Sequence, residues 1–595
     1  MEKFNSKTMK RNILLLLVSL FVLPSCEDLF DPAIENIKDL DMMYSDPVYA
    51  QGILTTAYRY LPDAYNNTEY ATDDAVTNER GNAYLRMATG SWTAADNPVN
   101  MWVDGYGAIQ YLNIFLERSN DIVWAKDPVV NTLFNLRMRG EAYGLRGVFL
   151  YYILRNHAGY STTGELLGVP ILTEFNDITA DFNVPRPTFQ ECVNHIMSDL
   201  DSAIHYLPTL YVNSGSPEDI PDKYKELVSM TSVYNRAMGD LFKQRLDGQI
   251  ARAFRSKLAL LAASPAFQDG ATTTNWEDAA EYSADVLSQI GGIAGLDPNG
   301  DTYYNNISEI NNLKEGINPS EILWRTNIET SRSSQASANF PPSLFGNGRM
   351  NPTQNLVDAF PAANGYPISH PLANYNEVNP YQNRDPRLSN YIVYNGNTMG
   401  SSNTPIYTGS TSTTEDGINK QENSTRTGYY MKKRMRTDVT FVNANGSWEG
   451  KPNYTPRIRY TEIFLNYAEA ANEAYGPTGV APNASYSAVD VIRAIRARAL
   501  GITTDPYLDE VSGDQNRMRE LIRNERRLEL CFEGFRFWDL RRWEANLNET
   551  AKGYDPSTGN IFNVEQRIYN DYMHYGPIPF SERLKYDKLI QNQGW

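Results

Sequence analysis

The chain of 595 residues carries 54 Lys and Arg against 71 Asp and Glu, a formal net charge of −17, and holds only 3 cysteines. An excess of acid on this scale argues against nucleic-acid binding, which depends on basic patches facing phosphates, and so few cysteines give neither a disulfide framework nor a CxxC site. Neutral ligands are favoured by elimination, and the 39 Tyr, 22 Phe and 9 Trp supply flat apolar faces, the tyrosines with a polar tip suited to wet interfaces.

Lys3, Lys7, Lys10 and Arg11 precede an apolar run over residues 13–23. This is the order of a signal peptide, and the run is too short to span a bilayer, which needs roughly 20 apolar residues. Leu23-Pro24-Ser25-Cys26 then resembles a bacterial lipobox, which implies that residues 1–25 are removed and Cys26 is acylated. Several acyl chains on one residue anchor firmly, whereas one chain alone binds only marginally. Glu27 and Asp28 resemble the acidic signals that send some lipoproteins to the outer face of the outer membrane, with residues 26–44 as a lipidated tether. No polybasic segment remains to attract anionic lipid, so the acyl anchor is the expected membrane contact. Cys192 and Cys531 fall in amphipathic helical patterns, where a free cysteine acts as a small buried hydrophobe.

Residues 45–290 read as mainly helical. Ala142, Leu145, Phe149, Tyr152 and Ile153 follow helical spacing, as do Val193, Ile196, Leu200, Ala203 and Leu207 in a segment that Pro187-Thr188 opens and Pro208 closes. Helices over about 249–263 and 276–290 complete a set of stacked hairpins without a strict period. Residues 291–455 change character to Asn, Gly, Ser, Thr, Pro and Tyr, with 395–426 nearly pure loop. Tyr303, Tyr304, Trp324, Phe340, Phe345, Tyr366, Tyr375 and Tyr381 are too many aromatics for a linker, so ordered loops over the helical scaffold are expected. Helical pattern returns in 456–595 with Tyr460, Phe464, Tyr467, Ala471 and Ala474, ended by Gly476-Pro477. Ala488, Ile492, Ile495 and Ala499 repeat it, and an extended tail closes the chain.

Residues 525–543 read ERRLELCFEGFRFWDLRRW. Glu525, Glu529 and Glu533 recur every four residues, and carboxylates so spaced on one helix repel. Either arginines such as Arg526, Arg527, Arg536, Arg541 and Arg542 neutralise the stripe in a buried network, or the segment holds an ionic ligand. Asp73-Asp74 and the Glu stripe are the residues that a metal would need, and ion pairing is the preferred account of both.

Several segments in order carry a family resemblance: the LPSC lipobox, RNHAGYSTTGELLGVPILTE, RPTFQECVNHIMSDLDSAIHYLP, NPTQNLVDAF, NRDPRL, TGYYMKK, PRIRYTEIFLNYAEAANEA, NERRLELCFEGFRFWDLRRW and the PIP…QNQGW tail. Together they resemble the SusD/RagB family of outer-membrane nutrient-binding lipoproteins. The longer turn in RNHAGYSTTGELLGVP departs from the family's usual aromatic-Gly-Gly. The resemblance implies a mainly α fold, a tetratricopeptide-like helical-pair scaffold with the loop-rich region packed on it, residues 245–595 forming one compact unit with the N-terminal region. It also implies a cell-surface oligosaccharide-binding lipoprotein that delivers its ligand to a SusC-like TonB-dependent outer-membrane transporter, with the scaffold toward the transporter and the loops toward the glycan. Capture of peptides, as in some relatives, is the alternative.

Glu525, Arg526, Arg527, Glu529, Glu533, Arg536, Trp538, Asp539, Arg541 and Trp543 are then a structural family motif, because a motif shared by binders of different ligands is poorly suited to choosing among them. A sugar offers CH-rich faces to aromatic rings and hydroxyls to a few polar groups. Candidate ligand-binding residues are Arg80, Tyr84, Trp92, Asn97, Asn100 and Trp102 near the N-terminus, and Tyr303, Tyr304, Phe340 and Phe345 in the middle region. Trp102 opens a helical pattern and is equally a core residue. No GxSxG, HExxH, P-loop or dinucleotide fingerprint occurs, and His157, His195, His205, His370 and His574 show no ligand spacing. No enzyme activity, cofactor or metal is expected; a carboxylate pair for glycoside hydrolysis would rest on composition alone.

Overall fold

The computed structural model describes residues 40–62, 67–176, 179–329, 334–439 and 450–595. The expected signal peptide, Cys26 and most of the tether lie outside them. Among the described residues, nine long helices form the scaffold: α1 (Pro47–Tyr58), α2 (Trp102–Arg118), α3 (Pro128–His157), α4 (Phe189–Tyr206), α5 (Gly248–Ala263), α6 (Trp276–Ser288), α7 (Tyr460–Tyr475), α8 (Ala488–Leu500) and α9 (Gln515–Glu529). Their starts are written locally. Thr188 and Glu191, Asn275 and Asp278, and Ser487 and Asp490 form reciprocal capping boxes, and Asp46-Pro47 and Asp127-Pro128 combine a capping carboxylate with proline at the first helical position.

Consecutive helices from α1 to α8 pack on each other, and α9 packs on α7 and α8. The result is a tetratricopeptide-like stack whose faces bury one large hydrophobic core. Helix α3 is buried around most of its surface, Arg137, Glu141 and Arg146 included, and approaches its neighbours through glycine. A Cβ on Gly144 would lie 2.3 Å from Leu246 and one on Gly140 2.6 Å from Leu207, so a side chain at either position would push the pairs apart.

The stack is continuous across a long excursion. Helix α6 ends at Ser288 and its packing partner α7 begins at Tyr460. The chain between them forms short helices, 3-10 turns and two-stranded ladders around a second, Tyr- and Met-rich core that includes Tyr303, Tyr304, Phe340, Tyr391, Tyr429 and Tyr430. The ladder of Ala75–Thr77 with Met350–Pro352 ties it to the N-terminal part, Ile322–Arg325 pairs with Pro456–Arg459 at the entry to α7, and Ile392–Val393 pairs with Tyr430–Met431 inside it, all antiparallel.

Two expectations change. Residues 159–167 make a hairpin, Gly159–Tyr160 against Leu166–Leu167. The C-terminal tail docks beside it: Gln593 N donates to Tyr160 O at 2.7 Å and Arg186 Nη1 to Asn592 Oδ1 at 2.9 Å. The tail is not extended throughout, since Phe580–Lys585 is a short helix. The Glu stripe also does not share one helix: α9 stops at Glu529, and Phe532 (φ +63°) and Gly534 (φ +84°) turn the chain before and after Glu533. Among the described residues, no helix is long and apolar enough to cross a membrane.

Candidate ligand-binding surface

Five of the sequence candidates are interior. Trp92 is 3% exposed, meets Trp595 edge-on at 4.8 Å between centroids, and donates Nε1–H to Asn97 Oδ1 at 3.0 Å. Trp102 is buried against Tyr106 and His157. Tyr303, Tyr304 and Phe340 belong to the second core, Tyr304 donating its hydroxyl to Asn390 O at 2.9 Å. A ring enclosed on both faces has none left for a sugar. Asn97 and Asn100 are spent on local structure, accepting from Val99 N at 3.2 Å and Trp102 N at 2.9 Å, and Tyr84 is half-buried with its hydroxyl on Pro98 O at 3.2 Å. We expect Trp92→Phe, which removes the bond to Asn97 and part of the edge contact, to lower stability by about 1–2 kcal/mol while leaving ligand affinity unchanged. Urea unfolding and titration of the folded variant check both halves.

Arg80 and Phe345 remain at the surface, and the Ala75–Thr77/Met350–Pro352 ladder brings their loops together. Just beyond Thr77, Asn78 Nδ2 donates to Asn347 O at 3.0 Å and Gly348 O at 2.9 Å, while Arg349 Nη1 donates to Asn78 Oδ1 at 3.1 Å. Asn423 Nδ2 holds Gly346 O from the other side at 3.2 Å. At the tip of this braced loop Phe345 is 64% exposed and has φ +64°. A bulky residue in the left-handed region costs of order 1–3 kcal/mol and persists only where its surroundings over-determine it. The fold therefore holds an apolar ring out in water at a cost, on a loop braced by Asn78 and Asn423. Sequence spacing gave no sign of Asn78, Asn347 and Arg349, because the ladder that recruits them joins positions far apart in the chain. Tyr381 and Tyr394, stacked at 4.1 Å and 14°, are a second partly exposed aromatic pair.

Two family models match the chain, one described as the SusD family over residues 320–595, the other as starch-binding associating with outer membrane over residues 38–218. The chain belongs to the SusD/RagB family. A SusD-like protein of Formosa agariphila is 22% identical over 594 residues, covering 97% of each chain. Two solved structures from Bacteroides fragilis share the fold: a SusD-like protein with TM-score 0.70 and 22% identity, covering 93% of this chain and 98% of that one, and a SusD-like carbohydrate-binding protein with TM-score 0.66 and 20% identity, covering 92% and 99%.

In this SusD/RagB chain the charged segment 525–543 is buried ionic structure. Arg387, 0% exposed, binds Asp385 in bidentate fashion and lies 3.0 Å from both Glu525 and Glu529. Arg496 Nη1 reaches Glu525 at 2.7 Å, Arg498 Nη2 reaches Glu529 at 3.0 Å, and Arg459 and Lys433 reach Glu533 at 2.8 and 2.7 Å. The arginines of the segment itself look elsewhere, so of the partners expected from its own turn and from neighbouring helices, the neighbouring ones hold the stripe. Arg526 meets Asp539, Arg527 and Arg536 meet Asp73, and Arg542 meets Glu469. Arg541 stacks on Phe537 at 3.4 Å, Trp538 lies under Arg155, and Trp543 Nε1 donates to Glu469 at 2.6 Å. The Asp73-Asp74 and Glu groups are thus occupied by cations of the chain, and no cluster of metal-ligating side chains stands among the described residues.

Burial alone would raise the Glu529 carboxyl, but Arg498, Arg387, Arg459 and Lys433 outweigh it and hold it at about 2; burial at Glu469 is likewise overcome by Arg542 and Arg526, giving about 2. Both values lie below the roughly 4.3 of a free Glu. Their stabilisation is therefore complete above about pH 4.3 and is lost as the pH falls toward 2. Burial pushes Glu69 and Asp247 up to about 7; these favour the fold at low pH and lose that contribution as the pH rises to about 7. The melting temperature should be highest at mildly acidic pH and fall steeply below about pH 4. A flat profile from pH 4 to 2.5 in calorimetry contradicts this.

Proposed function

We propose that the protein is a cell-surface lipoprotein that captures oligosaccharide and passes it to a SusC-like TonB-dependent outer-membrane transporter. The observation that carries this reading is the Phe345 ring, exposed and held at positive φ on a loop that Asn78 and Asn423 brace. A pyranose lays its CH face on such a ring and turns its hydroxyls to neighbouring polar groups. The family's description as starch-binding and outer-membrane associated, and the carbohydrate-binding relative, support the same ligand class. On this reading release, not bond cleavage, follows binding, and the carboxylates of the charged segment 525–543 are committed to ion pairs.

Isothermal titration of the purified protein against neutral and acidic oligosaccharides and a peptide panel tests the reading. Heat from glycans and not from peptides is expected. Peptide binding alone would replace glycan by peptide, and reducing sugar released from a bound polysaccharide would overturn the non-enzymatic assignment. Co-purification with an outer-membrane barrel of the same cell tests the partner.

A further inference from the structure

Beside the Phe345 loop lies a cavity of about 230 Å³, walled by the 3-10 segment Gly300–Asn305, by Asn390, by the Thr398–Met399/Thr404–Pro405 hairpin and by Lys432 and Thr437. The hairpin connects it to the exposed ring: a Cβ on Gly400 would lie 3.3 Å from Leu344, the residue before Phe345. Its volume is below the roughly 300–1,000 Å³ of a pocket for a drug-sized ligand, so it has room for one ring substituent or a single sugar residue and not for a chain.

The lining is rich in donors and contains no carboxylate. Asn305 Oδ1 accepts from Thr437 N at 3.3 Å and from its hydroxyl at 3.1 Å, which leaves the Asn305 amide N–H groups pointing to no protein acceptor among the described residues. The side-chain amides of Asn390 and Asn403 likewise donate to no described protein group, and Asn403 is held at φ +50° at the hairpin turn. Lys432 is half-buried, and Nζ donates to Ser389 O at 3.1 Å and pairs with no carboxylate among the described residues. Burial pulls its ammonium below the usual range with no neighbouring acid to offset it. In a chain of net charge −17, a pocket whose one formal charge is an uncompensated cation is unlike the surface around it. Neutral hydroxyls would satisfy the amides and leave the ammonium unpaired, whereas an oxyanion satisfies both.

We propose that this pocket receives a carboxylate or sulfate carried by one sugar of the bound glycan, with Lys432 as its cation and Asn305, Asn390 and Asn403 as donors. The inference rests on the glycan-binding reading of the Phe345 loop and narrows it to acidic glycans. The acidic surface elsewhere repels polyanions, so their retention reports a specific site.

Affinity electrophoresis of the purified protein tests it, in gels carrying polygalacturonate or carrageenan, each beside its carboxyl-reduced or desulfated form, with starch and laminarin as neutral gels. At least tenfold tighter retention by the acidic form is expected, with Lys432→Met abolishing the difference, Lys432→Arg keeping it, and both variants melting as the parent does. Equal retention of acidic and neutralised forms, or discrimination that survives Lys432→Met, overturns the pocket while leaving glycan binding intact. No retention in any gel overturns the glycan-binding reading itself. Inorganic sulfate protecting the protein in a Lys432-dependent way, with no acidic glycan retained, marks the pocket as a site for an adventitious ion only and overturns its assignment to a sugar.

Discussion

Arg387→Met is expected to lower the unfolding free energy by about 3–5 kcal/mol, the usual consequence of removing one partner from a buried charged group. The side chain is fully buried and serves Asp385, Glu525 and Glu529 at once. Glu525 would keep Arg496 and Glu529 would keep Arg498. Among the described residues, Asp385 would keep no cation at contact distance. Burial already pushes the Asp385 carboxyl up, with Arg387 opposing, so the variant would take up a proton there and become less stable as the pH rises above that group's value. Glu529→Ala, which leaves Arg498 with Glu321 at 4.0 Å, should act in the same direction. The loss in Arg387→Met combined with Asp385→Asn should be smaller than the two single losses together, because the groups share one interaction. Chemical unfolding of the four proteins measures this. Loss of glycan affinity at unchanged stability would instead make the segment part of the binding site.

Phe345→Gly is expected to separate function from stability. Glycine has no Cβ to strain at φ +64°, and a ring 64% exposed gives up little buried area, so the variant should melt at or above the parent temperature. Its affinity for the cognate glycan should fall by tenfold or more, about 1.4 kcal/mol, because the platform is gone. Phe345→Trp should keep binding. Unchanged affinity in the glycine variant would remove Phe345 from the site and leave the stacked Tyr381–Tyr394 pair as the aromatic surface to examine.

The helical part of this architecture is legible because its signals are local. The apolar spacing of Tyr460, Phe464, Tyr467, Ala471 and Ala474 reports one helix without reference to any other, and Thr188 with Glu191 marks a helix start within four residues. The site is not local. Trp92 looked like a loop aromatic because nothing nearby in sequence covers it; its covers are Phe537, Tyr569 and Trp595, from the far end of the chain. The Glu stripe shows the same limit. That it needed cations follows from charge spacing, but Arg387, Arg459 and Lys433 come from segments that only the tertiary fold brings to α9. Tyr303, Tyr304 and Phe340 were recognised as too aromatic for a linker, and composition alone does not separate a second core from a ligand surface.

The return of the chain from Ser288 to Tyr460 has a consequence for how such proteins diversify. Helices α6 and α7 recognise each other across whatever lies between them, and the entropy of closing a flexible segment grows only as the logarithm of its length, about 0.6 kcal/mol for each doubling. Loops in that segment can therefore lengthen, shorten or be exchanged at little expense to the helical stack, provided that its ladders and Arg387 still meet their partners. The scaffold acts as a socket with a replaceable head, and a new ligand requires a new head and not a new protein.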